Sequence, residues 1–389
     1  MDAEQAMLNV GFGVTALCKG LKHGTLDGIG TYTKALMLQW SANGTQASAQ
    51  ESPRLIPFSF SACAELDMAP APLKLASYPL NTAWSVVTQG RFWGLGRLAK
   101  QVDLIHATDH YVPKSPAVPV VATLMDALPL SNPEWSRKEF RLAKNFLWRR
   151  ALSWANEIIT ISEYSKQQLV MWAGISAEKI TVIPLGVSPS WFQVVPDDLI
   201  AKVRRHYNLP EMFFVSVGTL QPRKNIARTI QAHRLLPTAV RKRAPLLIIG
   251  HAGWQSEEVL KLIDQESVDG SVRWLRHVPD VDLLPILKLS KALVFPSLAE
   301  GFGLPVLEAF AASVPVITSN STSLPEVAGD AAILINPLDV QALSSAMHRS
   351  LEDHALIEKN IRLGRERARD FTWAACAQAT LEVYRKTLL

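Results

Sequence analysis

The sequence predicts an α/β protein built as two doubly wound parallel-sheet domains. Three observations carry that expectation: the length, an alternation of short β-branched runs with longer helical patterns, and the repetition of that alternation in both halves. A chain of 389 residues with 48% apolar and 19% charged residues has ample material for two hydrophobic cores. In the first half, strands are expected at Asn9–Ala16, Arg54–Phe60, Asp103–His106, Val118–Leu124, Glu157–Ile161 and Ile180–Ile183. In the second half they fall at Phe213–Val217, Pro245–Ile249, Val272–Arg276, Ala292–Phe295, Pro315–Thr318 and Ala332–Ile335. The two sets are alike, which makes each half a Rossmann-like unit.

The boundary follows from what separates the sets. Leu185–Pro210 holds prolines, no strand pattern and one polar helix-like piece, Asp198–Tyr207, as a hinge-bearing linker does. The reading is therefore a first domain over 1–190, a linker over 191–210 and a second domain over 211–372. A closing helix over 373–389, with Ala377, Leu381 and Tyr384 at helical spacing, is expected to pack back on the first domain. Apart from the polar loop Ser41–Ser52 there is no low-complexity tract.

Composition narrows the function only in part. No window approaches the roughly 20 apolar residues of a membrane-spanning helix, and Met7–Cys18 follows acidic residues rather than a basic leader. The expectation is a cytoplasmic protein. Cys18, Cys63 and Cys376 lie far apart without metal-ligand or redox spacing, so neither a disulfide framework nor a zinc site is expected. A net charge of +5 is modest and dispersed, which gives no sign of a nucleic-acid partner.

The most informative stretch is Val294-Phe-Pro-Ser-Leu-Ala-Glu-Gly-Phe-Gly-Leu-Pro-Val-Leu-Glu308. A strand ends at Phe295, a glycine-flanked loop follows, and Pro305 occupies a position suited to the first helical turn. Such a loop brings backbone N–H groups and the positive end of a helix to one point. Gly301, Phe302, Gly303 and Leu304 thus frame an anion site for which a diphosphate is the obvious guest. Glu300 in the loop and Glu308 in the helix add carboxylates that accept hydrogen bonds from sugar hydroxyls.

A second strand–loop–helix piece, Val217-Gly-Thr-Leu-Gln-Pro-Arg-Lys-Asn225, sets Arg223 and Lys224 beyond a strand end, where doubly wound sheets bind ligands. Gly218 and Thr219 belong to the same turn, and the two cations suit a departing diphosphate. A third turn, Gly28-Ile-Gly30, offers backbone N–H groups from the first domain. Asp280-Val-Asp282 spells a metal-binding pattern, but the helical run Leu283–Leu289 makes Asp282 an N-cap and Asp280 a loop residue. No GxGxxG follows a strand, which argues against a dinucleotide oxidoreductase.

These motifs together resemble the retaining glycosyltransferases of family 4, which have the GT-B fold. The resemblance covers nearly the whole chain and is carried by Gly28-Ile-Gly30, Asp103-Leu-Ile-His-Ala, the strand ending at Asp126, Ile159-Thr-Ile-Ser-Glu-Tyr-Ser, Glu178-Lys-Ile-Thr-Val-Ile-Pro-Leu-Gly186-Val, Gly218-Thr through Lys224-Asn225, and the two glutamates. It implies two Rossmann-like domains facing a cleft, with a nucleotide-sugar donor held mainly by the second. Glu308 would meet the ribose, Glu300 the donor sugar, Arg223 and Lys224 the diphosphate, and backbone groups at His277 and Val278 the base. Transfer would retain the anomeric configuration without a protein nucleophile, a cofactor or a metal.

Among its relatives the chain looks most like mannosyltransferases of O-antigen or capsule synthesis, which implies GDP-mannose or another GDP-sugar as donor. A UDP-sugar is the alternative, and a non-catalytic sugar-nucleotide-binding protein is a second. Many relatives carry a histidine before the aspartate that ends the fourth strand, whereas here Met125 precedes Asp126. His106, His110 and Asp126 are the candidates to replace its contact with the donor sugar. The segment Trp135–Arg150, rich in Lys, Arg and aromatics, together with Arg91–Arg97, suits peripheral docking on an anionic membrane surface beside a lipid-linked acceptor.

Overall fold

A computed structural model describes residues 7–22, 24, 26–41, 52–61, 71–132, 135 and 141–389. Cys63, most of the loop Ser41–Ser52, and residues 136–140 of the basic segment lie outside the described residues. The described residues divide into two compact units, Met1–Gly186 with Trp373–Leu389, and Val187–Thr372.

The first unit is built on a seven-stranded, wholly parallel sheet. Its strands are β1 (Asn9–Gly13), β2 (Arg54–Ser59), β3 (Leu73–Lys74), β4 (Leu104–Ala107), β5 (Val120–Thr123), β6 (Glu157–Thr160) and β7 (Ile180–Val182), in the order β3-β2-β1-β4-β5-β6-β7. Such strands are buried on both faces, which is why they read as continuous apolar runs rather than alternating ones. Val120, Val121, Ala122, Ile158 and Ile159 are all fully enclosed. Only β3 escapes the sequence pattern, because two residues carry no periodicity. The expected strand Asn9–Ala16 stops at Gly13 because the helix Thr15–Lys22 starts there.

The C-terminal helix Trp373–Leu388 belongs to this first unit and packs on the helix Gly28–Trp40. It is tied down by a buried polar chain. His106 Nδ1 lies 2.6 Å from the Tyr384 hydroxyl, His106 Nε2 lies 2.7 Å from Thr123 Oγ1, and Thr123 Oγ1 lies 2.9 Å from the Tyr32 hydroxyl. Burial lowers the His106 pKa to about 3, so the imidazole is neutral and each ring nitrogen is satisfied.

The second unit repeats the plan with six parallel strands: β8 (Phe214–Val217), β9 (Leu246–Ile249), β10 (Val272–Leu275), β11 (Ala292–Phe295), β12 (Val316–Ser319) and β13 (Ile333–Ile335), ordered β10-β9-β8-β11-β12-β13. Its core gathers Phe214, Leu246, Ile248, Val294 and Ile317 against Ile226, Ile230, Leu343 and Met347 from the covering helices. Burying each such side chain is worth about 1.5–3 kcal/mol.

Three local expectations need correction. The segment 191–210, read as a linker, belongs to the second unit: the helix Asp197–His206 packs on the helix Asp280–Leu289, and the Tyr207 hydroxyl donates to Asp282 Oδ2 at 2.8 Å. Asp282 is not an N-cap. Pro279 holds that position, and Asp280 and Asp282 both stand in the first helical turn, where carboxylates favour the helix dipole. Cys18 is disulfide-bonded, against the expectation of no disulfide, and Cys376 is a buried free thiol.

Candidate functional site

In the second sheet the strand order reverses between β8 and β11, and crevices outside the strand ends at such a switch point are where open α/β sheets bind ligands. The loops leaving these two strands carry the residues singled out above. After β8 the chain turns through Gly218 (φ 141°) and a single 3-10 turn, Pro222–Lys224, into the helix Ile226–Arg234. After β11 it runs through Pro296–Gly303 into the helix Leu304–Ala311.

Glu300 joins the two loops. Arg223 Nη1 donates to Glu300 Oε2 at 2.8 Å and Lys224 Nζ to Glu300 Oε1 at 2.6 Å. Arg223 also donates to the Ala299 carbonyl at 3.2 Å, and its own carbonyl accepts from the Leu298 N–H at 2.7 Å. Lys224 lies 4.7 Å over the Phe295 ring. Burial opposes ionisation of Glu300, but Lys224 and Arg223 outweigh it and hold its carboxyl below the usual range. Burial in turn lowers the Lys224 pKa against the pull of Glu300. Two cations and one carboxylate leave a net charge of +1 facing any anion that enters. The Arg223 side chain keeps 25% of its exposure, enough to reach one.

The helix Leu304–Ala311 supplies the second electropositive element. Gly303 (φ 120°) takes its N-cap position, and a Cβ there would stand 2.7 Å from Leu324 Cδ2, so only glycine fits. Pro305 sits in the first turn, where the missing N–H costs nothing. Phe302 is buried edge-on to Phe371, their ring centroids 5.8 Å apart. Glu308, half-buried one turn along this helix, has its pKa pushed up to about 7, first by burial and then by the charge of Asp280.

Several residues that hold this arrangement were not singled out from the sequence. Asn225 adopts the left-handed conformation (φ 61°), and its buried amide donates to the carbonyls of Pro296 at 2.9 Å and Pro337 at 2.7 Å, joining three loops. Ser323 Oγ lies 2.9 Å from the carbonyls of both Glu300 and Phe302, which fixes the loop in between. Gly250 allows β9 to cross close behind: a Cβ on it would stand 2.1 Å from the Gly218 carbonyl oxygen. Gly253 likewise keeps clear of Thr219, which the sequence did single out: a Cβ on it would lie 2.6 Å from the Thr219 methyl group. An asparagine between the Arg223–Lys224 loop and the following helix, a residue type that tolerates the left-handed conformation, is the one signal that was open to sequence reasoning.

At the ends of β9 and β10, His277 is exposed and stacks on His251 with ring centroids 5.2 Å apart, while Val278 is buried.

The remaining candidates lie in the first unit. Gly28-Ile-Gly30 is not a turn but the start of the helix Gly28–Trp40, where Asp27 Oδ1 caps the Gly30 N–H at 2.8 Å. Asp126 Oδ1 accepts from the Leu128 N–H at 3.0 Å, and the Met125 carbonyl accepts from Ser165 Oγ at 2.9 Å. His106 is locked in the buried chain described above and is no substitute for the missing histidine. His110 is exposed and leans on Tyr111. Asp109 was not anticipated: its carboxyl is buried beside β4, and burial raises its pKa.

With this geometry in place, family comparison decides the class. Residues 27–191 match the model of Glycosyltransferase Family 4, and residues 201–369 match that of Glycosyl transferases group 1. The chain is 32% identical over 282 residues to the O-antigen chain mannosyltransferase B of Escherichia coli, covering 72% of this chain and 74% of that one. This chain is a family 4 glycosyltransferase. The transferase is also 31% identical to the serotype-specific mannosyltransferase WbdA of Escherichia coli over 72% of its own length, but that match spans only 36% of WbdA. Its fold is GT-B, shared with HepE of Anabaena, solved with UDP-glucose, at a TM-score of 0.75 and 19% identity over 97% of this transferase and 100% of HepE. Among the described residues no helix is long and apolar enough to cross a membrane.

Proposed function

We propose that this glycosyltransferase moves mannose from GDP-mannose to a lipid-linked glycan of a surface polysaccharide, with retention of the anomeric configuration. The observation that carries the reading is the Arg223–Lys224–Glu300 cluster at the switch point of the second sheet, beside a glycine-led helix N-terminus. Breaking the bond between sugar C1 and the diphosphate oxygen leaves charge on the leaving group. Two cations already ordered by Glu300, together with a helix start, stabilise that charge without reorganising. On this reading a metal is not required.

Glu300 uses one lone pair of each oxygen on the cations, and the others accept donor-sugar hydroxyls. Glu308 accepts the ribose hydroxyls, and backbone at His277 and Val278 meets the base. The acceptor hydroxyl attacks the face that the diphosphate leaves and passes its proton to the departing diphosphate oxygen as it does so. Mannose as the transferred sugar rests on the names of the relatives. Work at the inner face of the plasma membrane, by peripheral docking, suits a lipid-linked acceptor. A UDP-sugar is the second reading, favoured by the UDP-glucose complex of HepE in the same fold.

A thermal-shift screen of GDP, UDP, ADP and dTDP tests the donor, because only the matching nucleotide stabilises the fold by mass action. Stabilisation by UDP alone would end the GDP-mannose reading. Activity surviving EDTA supports the absence of metal, and an NMR coupling constant of the inverted anomer in the product would rule out retention.

A further inference from the structure

We propose that the helix Tyr78–Thr88 and Trp93 form the face by which this protein settles on an anionic lipid bilayer, with the helix inserted apolar side down. The helix is built inside out. Its buried residues are Asn81, Thr82 and Ser85, all polar, whereas Leu80, Trp84 and Val87 keep 64%, 43% and 82% of their exposure. A helix that served only its own core would be turned the other way.

The inversion is held in place. Asn81 Oδ1 accepts the Trp93 N–H at 2.7 Å and its amide donates to the Ser77 carbonyl at 3.3 Å. The same contact brings Trp93, 48% exposed, beside Trp84, with ring centroids 5.3 Å apart. Leu80, Trp84 and Val87 follow helical spacing, so they make one stripe, and two adjacent indoles suit the depth at which headgroups meet acyl chains.

Charge selects the occupant. From Tyr78 to Lys100 and from Arg141 to Asn156 the chain contains no aspartate or glutamate. Exposed Arg91 and Arg97 flank Trp93 along the chain, and the helix Arg141–Leu152, which packs on Tyr78–Thr88, adds exposed Leu142, Phe146, Arg149 and Arg150. Apolar anchors accompanied by exposed cations fit a lamella of anionic headgroups, for which each cation near the surface adds to the attraction. The inference deepens the membrane reading above and rests on it only for the choice of acceptor.

Flotation of the full-length protein with vesicles tests it. Vesicles containing phosphatidylglycerol are expected to carry the protein, and phosphatidylcholine vesicles are expected to leave it behind. The variant L80S/W84S/V87S is expected to lose about tenfold or more of its partitioning, and R149E/R150E to lose a smaller share that salt also removes. Quenching of wild-type tryptophan fluorescence by brominated acyl chains in the anionic vesicles gives a second measurement that needs no variant. The proposal fails if wild type does not float or is not quenched, if the triple variant floats like wild type, or if the face instead pairs two copies, seen as a dimer that the triple variant converts to monomer. Nucleotide stabilisation measured on the same samples reports on the donor site alone, so failure of docking and failure of the transferase reading are distinguishable.

Discussion

Two buried polar clusters, one in each unit, show how differently the same kind of sheet can spend its polar residues. In the first unit His106, Thr123, Tyr32 and Tyr384 form a neutral chain sealed from solvent, its histidine kept uncharged by burial. In the second unit Arg223, Lys224 and Glu300 keep their charge, sit at a switch point and leave a positive remainder toward the surface. A closed, neutral chain stabilises a fold. An open, charged cluster with unspent charge is arranged for a ligand.

The largest effect that tests this contrast is expected from Arg223→Ala or Lys224→Ala. Losing one charged donor at a developing anion costs about 2.7–4 kcal/mol, so turnover should fall about a hundredfold or more in steady-state assays of the folded variants. Unchanged turnover would erase the distinction between the clusters. His106→Ala is expected to act in the opposite way: it strands the buried Tyr384 hydroxyl and leaves Thr123 only its bond to Tyr32, destabilising the first unit by about 1–3 kcal/mol in urea unfolding, while turnover per folded molecule is retained.

Ser323→Ala, which frees the loop carbonyls of Glu300 and Phe302, should lower kcat by about tenfold, read from kcat and KM with Ser323→Thr as a partial rescue. The smallest effect concerns pH. Glu308 ionises near 7 when folded against 4.5 for an ordinary glutamate, so the folded state holds its proton more tightly than the unfolded one. Its contribution is complete below 4.5 and is lost as pH rises through 7. Thermal unfolding across that window should be steeper in wild type than in Glu308→Gln, by on the order of 1 kcal/mol.

Much of the fold was legible because parallel strands buried on both faces must be apolar throughout, and runs such as Leu246–Ile249 and Ala292–Phe295 stand out against helical neighbours. Leu73–Lys74 did not, being too short for a pattern. Asp282 looked like a cap because the apolar run begins only at Leu283, whereas the first turn, Asp280–Asp282 with exposed Val281, carries no apolar signal. Arg223, Lys224 and Glu300 were legible by residue type and loop position, but their mutual pairing was not, since it depends on how two strand ends lie side by side. Of the three candidates to replace the histidine missing at Met125, His106 is taken up by partners that its neighbours in sequence do not reveal: Thr123 on an adjacent strand and Tyr384 on the C-terminal helix.

Lys224 runs along the bare backbone of Gly218. Its aliphatic stem lies 3.4 Å from the place where Gly218 would carry a Cβ, and Gly250 in turn leaves space only for the bare Gly218 carbonyl. A methyl group at Gly250 would strike the Gly218 backbone, and the φ values of 141° and 145° strain any side chain at either position. The backbone beside this cation is therefore shaped by two positions that carry no charge at all, and a screen for altered donor preference has reason to begin with what those positions forbid.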